Sequence, residues 1–143
     1  MPLPTPEPGL VVNFRFLWKH EHAAGAEEGR KDRPCAVILA VTSVRGVMEV
    51  VVAPMTHTKP VAPSEGIPVP PAVKRHLGLD DAQSWIIVTD LNVFTWPGYD
   101  LRPRPNTDPP RYDYGKIPPR LYEAVRARVA ALISLGKATD RGG

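Results

Sequence analysis

Apolar residues along the chain fall into short, separate blocks, and each block carries its own pattern. The first, LVVNFRFLW (10–18), is rich in β-branched and aromatic residues and partly alternates, as a half-buried strand does. PCAVILAVTSV (34–44) is continuously apolar over most of its length, which predicts a central strand buried on both faces. VMEVVVAPMT (47–56) follows directly after Arg45-Gly46, so the two blocks read as a tight hairpin. SWIIVTD (84–90) and LNVFTWP (91–97) read as two further strands or one long bent strand, and alternation places Trp85 and Phe94 in the core.

Two stretches depart from the strand pattern. PPAVKRHLGL (70–79) has proline at its start and Gly78 at its end, the asymmetry expected of a short helix. In PPRLYEAVRARVAALISLG (118–136), Leu121, Val125, Val129, Leu132 and Ile133 fall on one helical face, and Arg120, Glu123 and Arg126 fall elsewhere. Pro118 and Pro119 open this helix and Gly136 closes it, so an amphipathic C-terminal helix should pack across the strands. Several strands with proline-rich connections and no alternating helices argue for a mainly β, α+β fold: a small closed or half-closed barrel with two helices.

Composition changes this picture only in detail. A chain of 143 residues holds one domain, and 43% hydrophobic with 23% charged residues is the balance of a soluble globular protein. The 18 prolines cluster in MPLPTPEPG (1–9), KPVAPSEGIPVPP (59–71) and RPRPNTDPP (102–110), punctuating the apolar blocks without entering them. This divides the chain into an extended lead (1–8), a single domain (9–136) and a tail (137–143) expected to fray. MPLPTPEPG is not a secretory signal, and CAVILAV (35–41) is too short to cross a bilayer. One cysteine allows no internal disulfide. A bacterial-type cytoplasmic setting is therefore expected. The net charge of +3 is concentrated late: from Asp100 onward nine Lys/Arg face five Asp/Glu, a balance that suits an anionic partner such as RNA or an acidic protein tail.

Candidate chemistry begins at DRPCAVIL (32–39), where an arginine and a proline stand at the mouth of the apolar strand. Arg33 either pairs with Asp32, Glu27 or Glu28, or is held there to meet an anion. Thr56, taken alone, is an ordinary β-branched residue at a strand end. His20 and His22 in KHEH (19–22) are two apart and on a strand would share a face, yet no third metal ligand accompanies them. No metal or other cofactor is expected. Cys35 reads as a small core residue.

Taken in order, GAEEGRKDRPCAVIL (25–39), VVVAPMTHT (50–58), IPVPP (67–71), WIIVTDLNVF (85–94) and the amphipathic helix resemble the PemK/MazF family of toxin endoribonucleases from bacterial type II toxin–antitoxin systems. The resemblance spans roughly residues 9–135, and its most specific parts are the Arg-Pro and the Pro-x-Thr. It implies an SH3-like barrel that forms a homodimer and cuts single-stranded RNA without a metal. It also implies an antitoxin partner whose acidic, partly disordered tail lies in the same basic groove. The family's Arg-Pro arginine matches Arg33, its strand-end threonine matches Thr56, and its later aspartate matches Asp90; Val88 stands where some members carry a second arginine.

The chemistry explains these residue types. Attack of a ribose 2′-hydroxyl on the adjacent phosphorus needs a base, an acid for the leaving 5′-oxygen, and donors for charge gathering on the phosphoryl oxygens. A guanidinium holds two such oxygens at once and stays charged. Thr56 would donate its hydroxyl to the phosphate, with Asp90 or His57 assisting. Histidine is the side chain suited to acid–base work near neutral pH, but His57 shares a site with Thr56 only if the chain turns there, because strand neighbours face opposite ways. Lys31, Thr58, His20 and His22 are expected to contact RNA, the histidines from the loop HEHAAGAEEGRK (20–31), which would set sequence preference. Among the aromatics, Trp96 and the tyrosines of RYDYGK (111–116) are candidates for base stacking, with packing beneath the proline-rich loop as the other reading.

The rival reading is a non-catalytic SH3-like barrel that binds RNA or a protein, which Val88 and the proline-rich stretch after Asp100 both feed. A barrel that poisons another target, such as a topoisomerase, would leave Arg33 and Thr56 without a catalytic reason.

Overall fold

The computed structural model describes residues 3–18, 31–133 and 138–140. His20 and His22, and most of the loop that carries them, lie outside these residues.

The hairpin at the centre forms as the sequence predicts. Strand β2 (Arg33–Thr42) runs antiparallel to β3 (Met48–Thr56), with Cys35 opposite Pro54 and Thr42 opposite Met48. Its turn is closed by Ser43, whose Oγ accepts from the backbone N–H of Arg45 and Val47, and by Gly46 at φ 80. Strand β1 (Leu10–Phe14) lies on the other side of β2, with Phe14 opposite Arg33.

The second edge of β3 is shared. Strand β6 (Leu91–Thr95) covers its first half, Val52 opposite Asn92, and β5 (Trp85–Ile87) covers its end, Thr56 opposite Trp85. A bend at Val88–Asp90 separates the two, so SWIIVTDLNVFTW is one broken path along a single neighbour. Strand β4 (Gly66–Pro68) extends the sheet beyond β5, and β7 (Asp113–Lys116) extends it beyond β1. The architecture is mainly β, an open and mostly antiparallel sheet with two α-helices.

Helix α1 (Pro71–His76) is shorter than its sequence pattern but has the expected ends: Pro70 stands at its N-cap, Pro71 opens its first turn, and Gly78 at φ 70 lets the chain reverse. Helix α2 (Pro119–Ile133) buries Val125 and Val129 and half-buries Leu121, as its periodicity requires. The Tyr122 hydroxyl donates to the Ile38 carbonyl at 2.8 Å and ties α2 to β2. No helix among the described residues is long and apolar enough to cross a membrane.

Apolar side chains cover both faces of the sheet. One layer joins Val11, Ile38, Val51 and Met55 to α1 and α2 through Val73, Leu77, Val125 and Val129. The other joins Val12, Phe14, Cys35, Val37, Val50, Val52 and Phe94. Within it the Phe14 and Phe94 rings lie 4.6 Å apart, an added attraction beyond buried area.

Two expectations need correction. The continuous apolar run of β2 is buried only over Cys35–Ile38; Leu39 and Val41 are about half exposed, because a register shift between Val37 and Leu39 precedes a hairpin arm that reaches past both core layers. Trp85 is only half-buried, since β5 is short and its first residue sits at the open end of the sheet beside Thr56. Beyond α2, strand β8 (Ala138–Asp140) pairs in parallel with β6 along its second edge.

Candidate functional site

The β2–β3 register decides what meets at the open end of the sheet. Two residues beyond the Cys35–Pro54 pair, Arg33 and Thr56 reach the same level on neighbouring strands. Residues two apart on a strand share a face, so Arg33 points to the side of Cys35 and Val37, and Thr56 to the side of Val50 and Val52. That is a single layer, and both side chains stand at its end. They line one cleft of about 470 Å³.

Asp90, Lys31 and Thr58 line the same cleft, with Lys59 and Glu65 adding charge at its wall. Three cations thus face two carboxylates, and the balance favours an anion. Asp90 enters from the bend between β5 and β6. Val88, two residues earlier, is fully buried in the core layer beneath the helices. The position where the resembling family places a second arginine therefore does not face this cleft.

Trp18, one of the aromatics the sequence offers for stacking, stands in this cleft. Its ring lines the cleft with the Arg33 guanidinium 5.0 Å from the ring centroid, an arrangement that orients the fork. Phe16 meets Trp18 edge-on at 5.0 Å. What positions this segment is a buried asparagine. Asn92 accepts from the Leu17 N–H and donates to the Leu17 carbonyl, both at 2.9 Å. The signal was present: an asparagine inside LNVF has no reason to be in a core strand unless its amide has two partners.

Asp32 does not pair with Arg33; it accepts from Arg15 Nε at 2.9 Å. That contact draws the carboxylate beside Arg33 toward β1. The Thr56 Oγ1 accepts from the Thr58 N–H at 3.1 Å and turns the chain immediately after β3.

This turn carries His57 past the first cleft and into one beside it. Its ring lines a second cleft of about 210 Å³, which shares Arg33, Thr56, Lys31 and Thr58 with the first but continues toward Lys74, Asp80 and Ser84. His57 Nε2 lies 3.0–3.2 Å from the two Asp80 carboxylate oxygens. Lys74 is almost fully buried, and its Nζ donates to Asp80 Oδ1 at 2.7 Å, to the Ala82 carbonyl at 2.9 Å and to Ser84 Oγ. Those contacts, the Lys74 hydrogen bond foremost, hold the Asp80 carboxyl below the usual range. Sequence reasoning missed Lys74 and Asp80, because nothing in KRHLGLDD distinguishes a buried lysine from exposed neighbours.

Trp96 belongs to neither cleft. Its N–H donates to the Met48 carbonyl, at the opposite end of β3 from Thr56, up to ~27 Å away along an extended strand. Its ring packs on Phe94 at 5.9 Å. Tyr112 packs against the same layer, and Tyr114 is half-buried under the Arg104 guanidinium, 4.4 Å from its centroid. Burial pushes the Tyr114 hydroxyl pKa up. All three rings are thus partly buried against neighbouring side chains. Among the described residues no three His, Cys, Asp or Glu side chains gather as a metal site requires.

Compared with solved structures, the chain matches an endoribonuclease in complex with its cognate antitoxin from a mycobacterial species, with a TM-score of 0.56 over 92% of this chain and 97% of that one. It shares that fold. At 14% identity the likeness speaks to architecture alone, and at that level it agrees with the resemblance drawn from the sequence. No protein-family model matches the sequence, and no curated protein is similar to it by sequence.

Proposed function

We propose that the chain is a PemK/MazF-like toxin endoribonuclease that cleaves single-stranded RNA. The observation that carries this reading is the meeting of Arg33 and Thr56 on one face at the open end of the sheet, in a cleft that also holds Asp90, Lys31 and Thr58. A phosphodiester seated there receives two hydrogen bonds from the Arg33 fork and one from the Thr56 hydroxyl, which face the oxygens where charge develops. The 2′-hydroxyl attacks the adjacent phosphorus, the bond to the 5′-oxygen breaks, and a 2′,3′-cyclic phosphate remains. No metal takes part in this scheme. Lys31, Lys59 and Thr58 hold flanking phosphates.

The same cleft would take the acidic tail of an antitoxin, since carboxylates and phosphates compete for the same fork. A homodimer and a cytoplasmic setting complete the proposal on the strength of the family resemblance.

One observation favours a second reading. With Val88 turned into the core, the cleft lacks the second arginine of the resembling family, and a barrel that binds RNA without cutting it would have the same walls. Incubation of a long unstructured RNA in EDTA with wild type and Arg33→Ala separates the two. Cutting to cyclic phosphate ends by wild type, lost in the variant, supports the nuclease. Intact RNA with retained binding supports the second reading.

A further inference from the structure

The nuclease reading leaves the base unassigned, and the second cleft holds a group built for that work. His57 follows Thr56 directly and shares a cleft with Arg33. Its Nε2 faces Asp80, an ionised acceptor with no proton to give, so the neutral ring carries its hydrogen on Nε2 and leaves Nδ1 as the basic atom. Asp80 is itself fixed: Lys74 Nζ and the Ala82 N–H both donate to Oδ1, at 2.7 and 3.2 Å. Lys74 is itself buried on α1 and is held by the Ala82 carbonyl and Ser84 Oγ as well. The charged groups facing this cleft are Lys31, Asp32 and Arg33 at the start of β2, Lys74 of α1, and Asp80.

We infer that His57 is the general base of the cleavage reaction and that Asp80, locked by Lys74, is the positioning residue that sets its tautomer. The inference rests on the nuclease reading. In the step it describes, the proton of the 2′-hydroxyl passes to His57 Nδ1 and the O2′–P bond forms. The P–O5′ bond breaks, and the leaving oxygen takes a proton from water. The imidazolium then returns its proton to solvent.

The geometry makes a sharp demand on Asp80→Asn. Lys74 Nζ and the Ala82 N–H both require an acceptor at the Oδ1 position, so the new NH₂ takes the Oδ2 position, the nearer of the two to His57 Nε2 at 3.0 Å against 3.2 Å. Nε2 then becomes the acceptor and the hydrogen moves to Nδ1, where it blocks proton uptake. The test pairs ring ¹⁵N chemical shifts of His57 with cleavage rates in EDTA from pH 5 to 9, for wild type, Asp80→Asn, His57→Ala and the double variant. Expected are Nε2–H in wild type, Nδ1–H in Asp80→Asn, and a loss of roughly 10²–10⁴-fold in rate. The double variant should be no slower than His57→Ala, and the rise of rate with pH should disappear in all three variants. Thermal unfolding of each variant confirms that a folded protein is being compared, and His57→Ala leaves the Lys74–Asp80 contact untouched. If wild type cuts and Asp80→Asn cuts equally well, or keeps its rate after its tautomer reverses, the inference is overturned while the nuclease reading stands. If wild type leaves every RNA intact while Arg33→Ala behaves identically, the nuclease reading falls and this assignment falls with it.

Discussion

The side-chain amide of Asn92 holds both main-chain groups of Leu17, donating to its carbonyl and accepting from its N–H at 2.9 Å each, with both residues buried. This contact joins β6 to the segment that follows β1 and sets Trp18 beside Arg33. Removing it leaves two buried backbone groups without partners. Asn92→Ala should cost about 2–4 kcal/mol in urea unfolding, at roughly 1–3 kcal/mol per orphaned group with partial relaxation. Asn92→Asp should cost as much, because a carboxylate cannot donate to the Leu17 carbonyl. A loss below about 1 kcal/mol in both would mean that water or a backbone shift replaces the amide.

Trp18 and Trp96 should behave differently despite their similar appearance in the sequence. Trp18→Ala removes the ring beneath Arg33, a contact of about 0.5–2 kcal/mol, and should slow RNA cleavage roughly 2- to 30-fold. Trp96→Ala should leave the rate within twofold and act on stability instead, since its ring packs on Phe94 at the far end of β3. Equal effects of the two on cleavage would contradict this placement.

Much of the fold was legible because it rests on local rules. The β2–β3 hairpin followed from two apolar blocks around Arg45-Gly46, and α2 followed from a 3.6-residue repeat between proline and glycine. The level shared by Arg33 and Thr56 was not legible in the order alone: carried down from the turn, the register would set Arg33 opposite His57, and the shift between Val37 and Leu39 moves it to Thr56. The rest depended on distant pairs. Trp18 reaches the cleft through Asn92, 75 positions away from Leu17. Lys74 is buried because the chain folds back over Ala82 and Ser84. Whether Trp96 stacks on a base or packs stayed open in the sequence, because its contact with Phe94 depends on how the chain turns after β6.

Arg33→Lys tests whether the fork or merely the charge matters. A lysine keeps the positive charge but offers one point of contact in place of two parallel N–H donors. Cleavage should fall by about 10²-fold or more, the usual loss when a donor to a developing charge is removed. RNA affinity at low salt should fall far less. Restoration of full activity by lysine would reduce the role of Arg33 to attraction.

Asp80 gives stability an acid limb. Its folded pKa is depressed, so the stability it contributes is fully present above the ordinary carboxylate value of about 4 and is lost as pH falls through the lower folded value. Urea unfolding at pH 7, 4 and 2.5 should show wild type exceeding Asp80→Asn most at neutral pH, with the gap closing in the acid range. A gap unchanged at pH 2.5 would assign the difference to packing and not to the charge.

Cys35 lies fully buried one position beyond Pro34, and burial pushes its thiol pKa up. While β2 stays paired with its neighbours the thiol is neither ionised nor reachable, and thiol reagents act on the accessible thiolate. Each alkylation event in native buffer therefore counts one excursion of β2 away from its neighbours. The chain carries its own clock for the strand that begins at Arg33. The ticking of that clock with and without bound RNA would measure how firmly an occupied cleft holds the sheet together.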